Sequence, residues 1–344
     1  MYKILNQRNG LTFVEITNET DFSVTLSNYG ASIYKIDTLD RIGKLETVTL
    51  SPRMINYYKN PGYYGLTVAR VAGRIKDSKY KIGDKEYNIW PPNERNNILH
   101  SGVDTLAYRL FDYAIIKSND DEVVVRYSIH IKDMEDSFPG NLDLRIEYKV
   151  SLKEKSILCN IYALSDKDTL LNITNHSYFN LSGNLKTTIE KHYLMMNKEL
   201  VAETDDELLI KDIIPVPKEY DFRKSHYIDE FLRSKRLIDK GIGGYDDIYT
   251  GVLPLKLELI DKNSGRKLEI ESDYKDVVIY TNNIPSTTAF PNMERDKAYN
   301  GIAIEPCRYS DILSKKGLVH KANALYNHYI KYTFSLVEDK QWLN

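Results

Sequence analysis

His176 lies in the run Asn172 to Gly183, NITNHSYFNLSG, with asparagines close on either side and two aromatics just after it. Far downstream, GIAIEPC from Gly301 to Cys307 sets one carboxylate, Glu305, at the end of an apolar stretch. A histidine and a carboxylate from distant segments are the two partners that general acid–base chemistry requires. Glu305 follows Ile302-Ala303-Ile304 and precedes Pro306, so its carboxyl is expected to be partly desolvated. Desolvation raises a carboxyl pKa and makes the group a better base near neutral pH.

Three further stretches carry groups of the right type. His100 ends NNILHSG, at the mouth of a Ser-Gly turn, and taken alone its simpler reading is structural. Arg74, in VAGRIKD, is flanked by small and apolar residues. A guanidinium in such a setting needs a partner, either a structural carboxylate or the oxygens of a ligand. Asp246 and Asp247 follow three glycines in GIGGYDDIY, which makes either a flexible approach to a ligand or a plain turn. The seven histidines contain no HExxH pair and the two cysteines no CxxC, so no metal motif is expected. His130, on the polar side of an alternating segment, reads as a surface histidine.

The elements that must position these groups alternate with period two. Val123, Val125, Tyr127, Ile129 and Ile131 share one face of Glu122 to Ile131. Leu144, Ile146, Tyr148 and Val150 oppose Asp143, Arg145, Glu147 and Lys149, and Leu255 to Leu259 and Leu268 to Ile270 repeat the pattern. Successive side chains of a strand point to opposite faces, so each segment predicts a half-buried strand. DKNSG, from Asp261 to Gly265, predicts the turn of a hairpin. Helical periodicity is confined to Asp229 to Ile238. Strands with turns and few intervening helices predict an all-β fold, a large antiparallel β-sandwich. The 344 residues show no internal repeat and no Pro/Gly/Ser linker, so residues 1–344 are expected to form a single domain whose loops carry the site.

Composition excludes several classes of function. With 47 basic against 49 acidic residues and a net charge of −2, there is no footprint for nucleic acid. The Lys315-Lys316 pair reads as a solvated turn. No apolar run is long enough to span a bilayer, and MYKILNQRNG has no signal-peptide core, so a cytoplasmic location with Cys159 and Cys307 reduced is expected. The sequons at Asn18, Asn172 and Asn180 are then chance matches.

Seven stretches occur together in one order: LSNYGASI at Leu26 to Ile33, GRI at Gly73 to Ile75, NILHSG at Asn97 to Gly102, FPGNL at Phe138 to Leu142, TNHSYFNLSG at Thr174 to Gly183, YDD at Tyr245 to Asp247, and IEP at Ile304 to Pro306. Together they resemble the aldose 1-epimerases, or galactose mutarotases, over essentially the whole chain. TNHSYFNLSG is the specific element; GRI or IEP alone would mean little. The resemblance implies a galactose mutarotase-like supersandwich with a sugar cleft on one face. It implies Glu305 as the catalytic base, His176 as the acid, His100 as a second active-site histidine, and Arg74 and Asp246 as contacts to sugar hydroxyls. The chain departs from the family pattern at Gly73, where Asn is frequent, at Val278, where Gln is frequent, at Cys307, and in LHSG for the commoner LHGG. These departures leave acid and base intact and bear on which sugar is preferred.

The implied reaction interconverts the α and β anomers of a free aldose, and it calls for no cofactor and no metal. Glu305 would be ionised and His176 charged at the start, a separation of pKa values that the cleft must arrange. The monosaccharide is the only partner expected, with the chain a monomer or homodimer and no membrane contact. Two other readings use the same residues. A glycoside hydrolase would pair Asp246 or Asp247 with Glu305, and a non-catalytic carbohydrate-binding sandwich would keep Arg74 and Asp246 without need of the acid–base pair.

Overall fold

The computed structural model describes residues 1–6, 8–90, 97–309, 312 and 317–337. The Lys315-Lys316 pair lies outside them. The alternating segments are strands: Glu122–Ile131, Leu142–Ser151, Leu255–Ile260 and Arg266–Ser272. In Leu142–Ser151 the even positions Leu142 to Val150 are buried, while Asp143, Arg145 and Lys149 are exposed. The DKNSG turn joins Leu255–Ile260 to Arg266–Ser272 as an antiparallel pair with Ile260 opposite Lys267.

Three antiparallel sheets dominate. A nine-stranded sheet runs in space from Asp112–Ser118 through Glu122–Ile131, Leu142–Ser151, Ser156–Ser165, Tyr326–Leu336, Arg266–Ser272, Leu255–Ile260 and Tyr193–Met196 to His226–Tyr227. A six-stranded sheet orders Tyr178–Phe179, Ile302–Cys307, Asp276–Tyr280, Asp246–Thr250, Leu200–Thr204 and Ile210–Pro215. The third sheet is a five-stranded N-terminal meander from Tyr2 to Thr47. One apolar cluster draws side chains from all three, including Val14, Val24, Ile146, Ile161, Leu268, Val277, Ile279 and Ile304. The expected all-β antiparallel sandwich is the fold found. Both cysteines are free and buried, and no helix among the described residues is long and apolar enough to cross a membrane.

The expected helix over Asp229 to Ile238 forms only in its second half. Ile228–Glu230 is a 3₁₀ turn and Lys235–Asp239 the helix. Ser234 breaks the segment, because its hydroxyl accepts from the Leu237 N–H and so starts a helix instead of continuing one.

Arg70 fixes the floor beneath the site loops. It is fully buried and donates to Asp136 at 2.7 Å, to the carbonyls of Pro139 and Gly140, and to Thr169. The FPGNL stretch is therefore a docking strip for a buried guanidinium. Arg70→Leu strands the Asp136 carboxylate, and removing one partner of a buried pair costs about 3–5 kcal/mol. Urea unfolding should show that loss with an unchanged m-value. It should shrink at acidic pH, where Asp136, whose pKa burial already raises, takes up a proton. A loss under about 1 kcal/mol would contradict this role for Arg70.

Candidate active site

Three neighbouring strands of the six-stranded sheet make the floor of a cleft. Asp246 pairs with Tyr280 and Ile248 with Val278, and Val278 in turn pairs with Glu305. Period-two geometry divides each strand between two faces. Tyr249, Val277, Ile279, Ile302 and Ile304 join the main core. Asp246, Ile248, Val278, Tyr280, Glu305 and Cys307 line the cleft, which encloses about 280 Å³. That volume is at the small end of small-molecule sites. Asp247 is the exception that the alternation demands. It faces away from the cleft, buried, with its carboxylate 2.5 Å from Lys240 Nζ. It is not available to pair with Glu305.

His176 arrives from the opposite side of the Glu305 strand. Thr174–Asn175 pairs with Thr67–Val68, and Tyr178–Phe179 pairs with Ile302–Ala303. The residue between is held by its own backbone, with His176 N–H donating to Leu66 O and Gly65 N–H to His176 O. Its Nε2 then lies 3.3 Å from Glu305 Oε1, and each residue is 4% exposed. Tyr63 and Tyr178 flank the imidazole at 5.9 and 5.1 Å between ring centroids. The asparagines of the same run are scaffolding. Asn172 donates to Ala72 O and accepts from Arg308 N–H. Asn175 donates to Gly65 O, and Asn180 to the carbonyls of Thr187 and Asn300. Asn172 and Asn180 are fully buried, so neither sequon is open to modification.

His100 and Arg74 are delivered together. Arg74–Ile75 pairs with Ile98–Leu99, and His100 N–H donates to Gly73 O. Gly73 N–H returns a bond to His100 Nδ1 at 3.1 Å. Residues 100–102 all hold positive φ, at 52°, 66° and 80°. Ser101 steadies that left-handed run, since its hydroxyl accepts from Val71 N–H and donates to Val71 O. The LHSG departure thus has a local compensation. Arg74 Nη2 stands 3.5 Å from Asp246 Oδ2, each side chain about a quarter to a fifth exposed (25% and 21%).

Burial governs the electrostatics. Desolvation pushes Glu305 up to about 8, aided by the nearby Asp246 carboxylate and opposed by Arg74. Desolvation pushes His176 down to about 4. Its Nε2 faces Glu305, so the neutral ring that accepts a proton there carries its own N–H on the buried Nδ1. His100 is likewise held well below the ordinary histidine range, first by burial and then by His176 and Arg74. Between about pH 4 and 8 the pair therefore holds one shared proton, on Glu305. The expectation that His176 is charged and Glu305 ionised at rest is corrected on this point. The count of one shared proton agrees, but desolvation favours its neutral placement.

The ligating atoms of His100, His176 and Glu305 lie within 4.8 Å of one another, close enough to suggest a metal. The tautomer of His100 opposes it. Its Nδ1 lone pair is engaged by Gly73 N–H, which leaves the proton on Nε2, so neither nitrogen ligates without breaking that bond.

The sequence model of the family described as Aldose 1-epimerase matches residues 12–333. The chain belongs to the aldose 1-epimerase family. It is 26% identical over 326 residues to the galactose mutarotase of Mus musculus, covering 91% of both chains. It is 26% identical over 337 residues to the aldose 1-epimerase of Haemophilus influenzae, covering 93% of this chain and 95% of that one. Among solved structures, the GalM/aldose epimerase homologue from C. elegans superposes with a TM-score of 0.81 at 26% identity, over 95% of this chain and 99% of the other. The galactose 1-epimerase from Lactobacillus acidophilus does so with a TM-score of 0.83 at 23% identity, over 98% and 99%.

All five residues singled out from the sequence, Arg74, His100, His176, Asp246 and Glu305, line this one cleft of the aldose 1-epimerase fold. Tyr309 was not legible. Its hydroxyl accepts from Arg74 N–H at 2.6 Å and donates to Arg74 O at 2.9 Å, clamping the arginine by its backbone. The one available signal was Gly73. A Cβ there would lie 2.7 Å from two ring carbons of Tyr309, and its φ of 88° is left-handed. The glycine departure and the tyrosine are one feature. Gly73→Ala should cost about 2–4 kcal/mol, combining left-handed strain with overpacking. In a Tyr309→Ala background only the strain of about 1–2 kcal/mol should remain. Equal costs in both backgrounds would show that the ring does not crowd residue 73.

Proposed function

We propose that the chain is an aldose 1-epimerase acting on free aldoses such as galactose and glucose, with Glu305 and His176 as its acid–base pair. The supporting observation is the contact of two buried titratable groups, His176 Nε2 and Glu305 Oε1 at 3.3 Å, beside Arg74 and Asp246 in a small cleft. Transfer of the shared proton across that contact yields a carboxylate and an imidazolium. Arg74, which favours the ionised carboxyl, and the hydroxyls of a bound sugar lower the cost of that charge separation. Glu305 then takes the proton of the anomeric hydroxyl while His176 gives one to the ring oxygen. The C1–O5 bond opens to an aldehyde. Rotation about C1–C2 presents the other carbonyl face, and closure reverses both transfers. No electrons leave the sugar and no group is transferred, so the residues of the cleft supply all the chemistry. Arg74 and Asp246 hold the sugar's hydroxyls, and His100, neutral and donating from Nε2, adds a third hydrogen bond. We also infer that the chain works as one domain, in keeping with the apolar cluster shared by its three sheets.

Glu305→Gln keeps shape and hydrogen-bonding reach but cannot accept the proton. General acid–base catalysis contributes about 10²–10⁴-fold, so polarimetry of fresh α-galactose should show kcat reduced by that factor with KM little changed. His176→Asn should cost a similar factor, and the double variant less than the product, because the two act as a unit. If Glu305→Gln keeps more than roughly a tenth of the wild-type kcat, the base is another group.

The pH profile follows from the proton count. Raised to about 8, Glu305 keeps its proton until the pH passes that value, and His176, lowered to about 4, gains a second only below it. The active form holds one proton, so kcat/KM should fall above about pH 8 and below about pH 4, the two limbs belonging to the pair. An acid limb near pH 6.5, the ordinary histidine value, would mean that His176 is not desolvated as described.

A further inference from the structure

Glu305 has two different neighbours. On one side of its strand lies the segment that carries His176, and on the other lies Val278, directly opposite Glu305 in register, followed by Ile248 on the next strand. Val278 and Ile248 face the cleft. Ile248 belongs to a buried cluster with Ala202, Cys307 and Tyr309, against which the partly buried Val278 and Ile210 pack. Leu99, Leu208 and Ile242 extend the apolar lining.

Of the polar side chains that line the cleft, Tyr309, Asn172, Tyr280 and Asn282 are already committed. Tyr309 spends its hydroxyl on the backbone of Arg74. Asn172 uses both ends of its amide on Ala72 and Arg308. Tyr280 donates to Ile284 O and accepts from Ile284 N–H, and Asn282 donates to Asp296. Burial in an apolar setting holds the Cys307 thiol protonated, far above its ordinary pKa. A sugar hydroxyl turned onto the Val278 and Ile248 side chains would lose its water and gain no partner from them, whereas a CH₂ or CH₃ would bury favourably.

We infer that the preferred substrate is a deoxy-aldose, a sugar in which one ring or exocyclic hydroxyl is replaced by hydrogen, with the deoxygenated carbon packed on Val278, Ile248 and Tyr309. The inference rests on the epimerase reading above and narrows its substrate class. Arg74, Asp246 and His100 take the remaining hydroxyls.

The test is a panel of galactose, glucose and their 2-, 3-, 4- and 6-deoxy forms. Enzyme-catalysed mutarotation of each is expressed as kcat/KM divided by that sugar's own uncatalysed rate. At least one deoxy form should exceed its parent hexose by roughly tenfold or more, the size set by an unpaired buried hydroxyl. Val278→Thr keeps the volume and Val278→Gln adds a longer polar group. Either one should lower the deoxy-to-parent ratio by about fivefold or more, with the parent hexose gaining. Parent hexoses turned over with no deoxy form favoured would overturn the inference and leave the epimerase reading intact. A deoxy preference untouched by both Val278 variants would overturn the assignment of the wall. Acceleration of no sugar in the panel, by enzyme whose circular dichroism shows it folded, would sink the epimerase reading itself and the inference with it.

Discussion

Glu305 sits on a strand with the core on one face and the cleft on the other, and that placement sets the terms for everything around it. Ile302 and Ile304 are buried in the main cluster, so the strand cannot slip by one residue without turning the carboxylate into the core. The same register sets Val278 beside it and, one strand further, Ile248. Solvent is excluded by a floor of this kind. A carboxyl held there binds its proton more firmly than one in water, and the imidazole 3.3 Å away binds its own less firmly, for the same reason. One cause thus brings two groups of ordinarily different acidity to share a single proton.

The walls of the cleft are set largely by bonds between side chains and the main chain. Gly73 and His100 exchange two hydrogen bonds, Tyr309 clamps the main chain of Arg74, and Ser101 holds a left-handed turn against Val71. Below them Arg70 and Asp136 bind the loop to the FPGNL segment from inside the core. A site held in this way presents its side chains at defined distances before any ligand arrives, which is the condition for catalysis by positioning. On the far side, Lys240 donates to both Asp247 and the carbonyl of Asp246, so the acidic pair is split between a structural and a cleft-facing carboxylate.

Alternation told strands from helices in this chain because it reports only local geometry. The strands Glu122–Ile131 and Leu142–Ser151, the DKNSG hairpin and the apolar approach to Glu305 are all written in nearest-neighbour patterns. The short helix fell partly outside such reasoning, since whether Ser234 starts a helix or sits within one depends on how the loop leaves the preceding 3₁₀ turn. The five cleft residues were legible by type, and a shared family pattern joined them. Their union in space was not readable from spacing, because Arg74 and Glu305 are separated by most of the chain.

By itself the sequence determined the fold class, the chemical kinds present and the expected desolvation of Glu305, since each depends on residue type and on the period of a strand. Only the tertiary structure decided that Asp246 faces the cleft while Asp247 faces Lys240, that the asparagines around His176 are scaffolding, and that Gly73 and Tyr309 occupy one space. It also decided where the shared proton rests. Desolvation is a property of what surrounds a residue, and those surroundings are contributed by strands far apart in the chain.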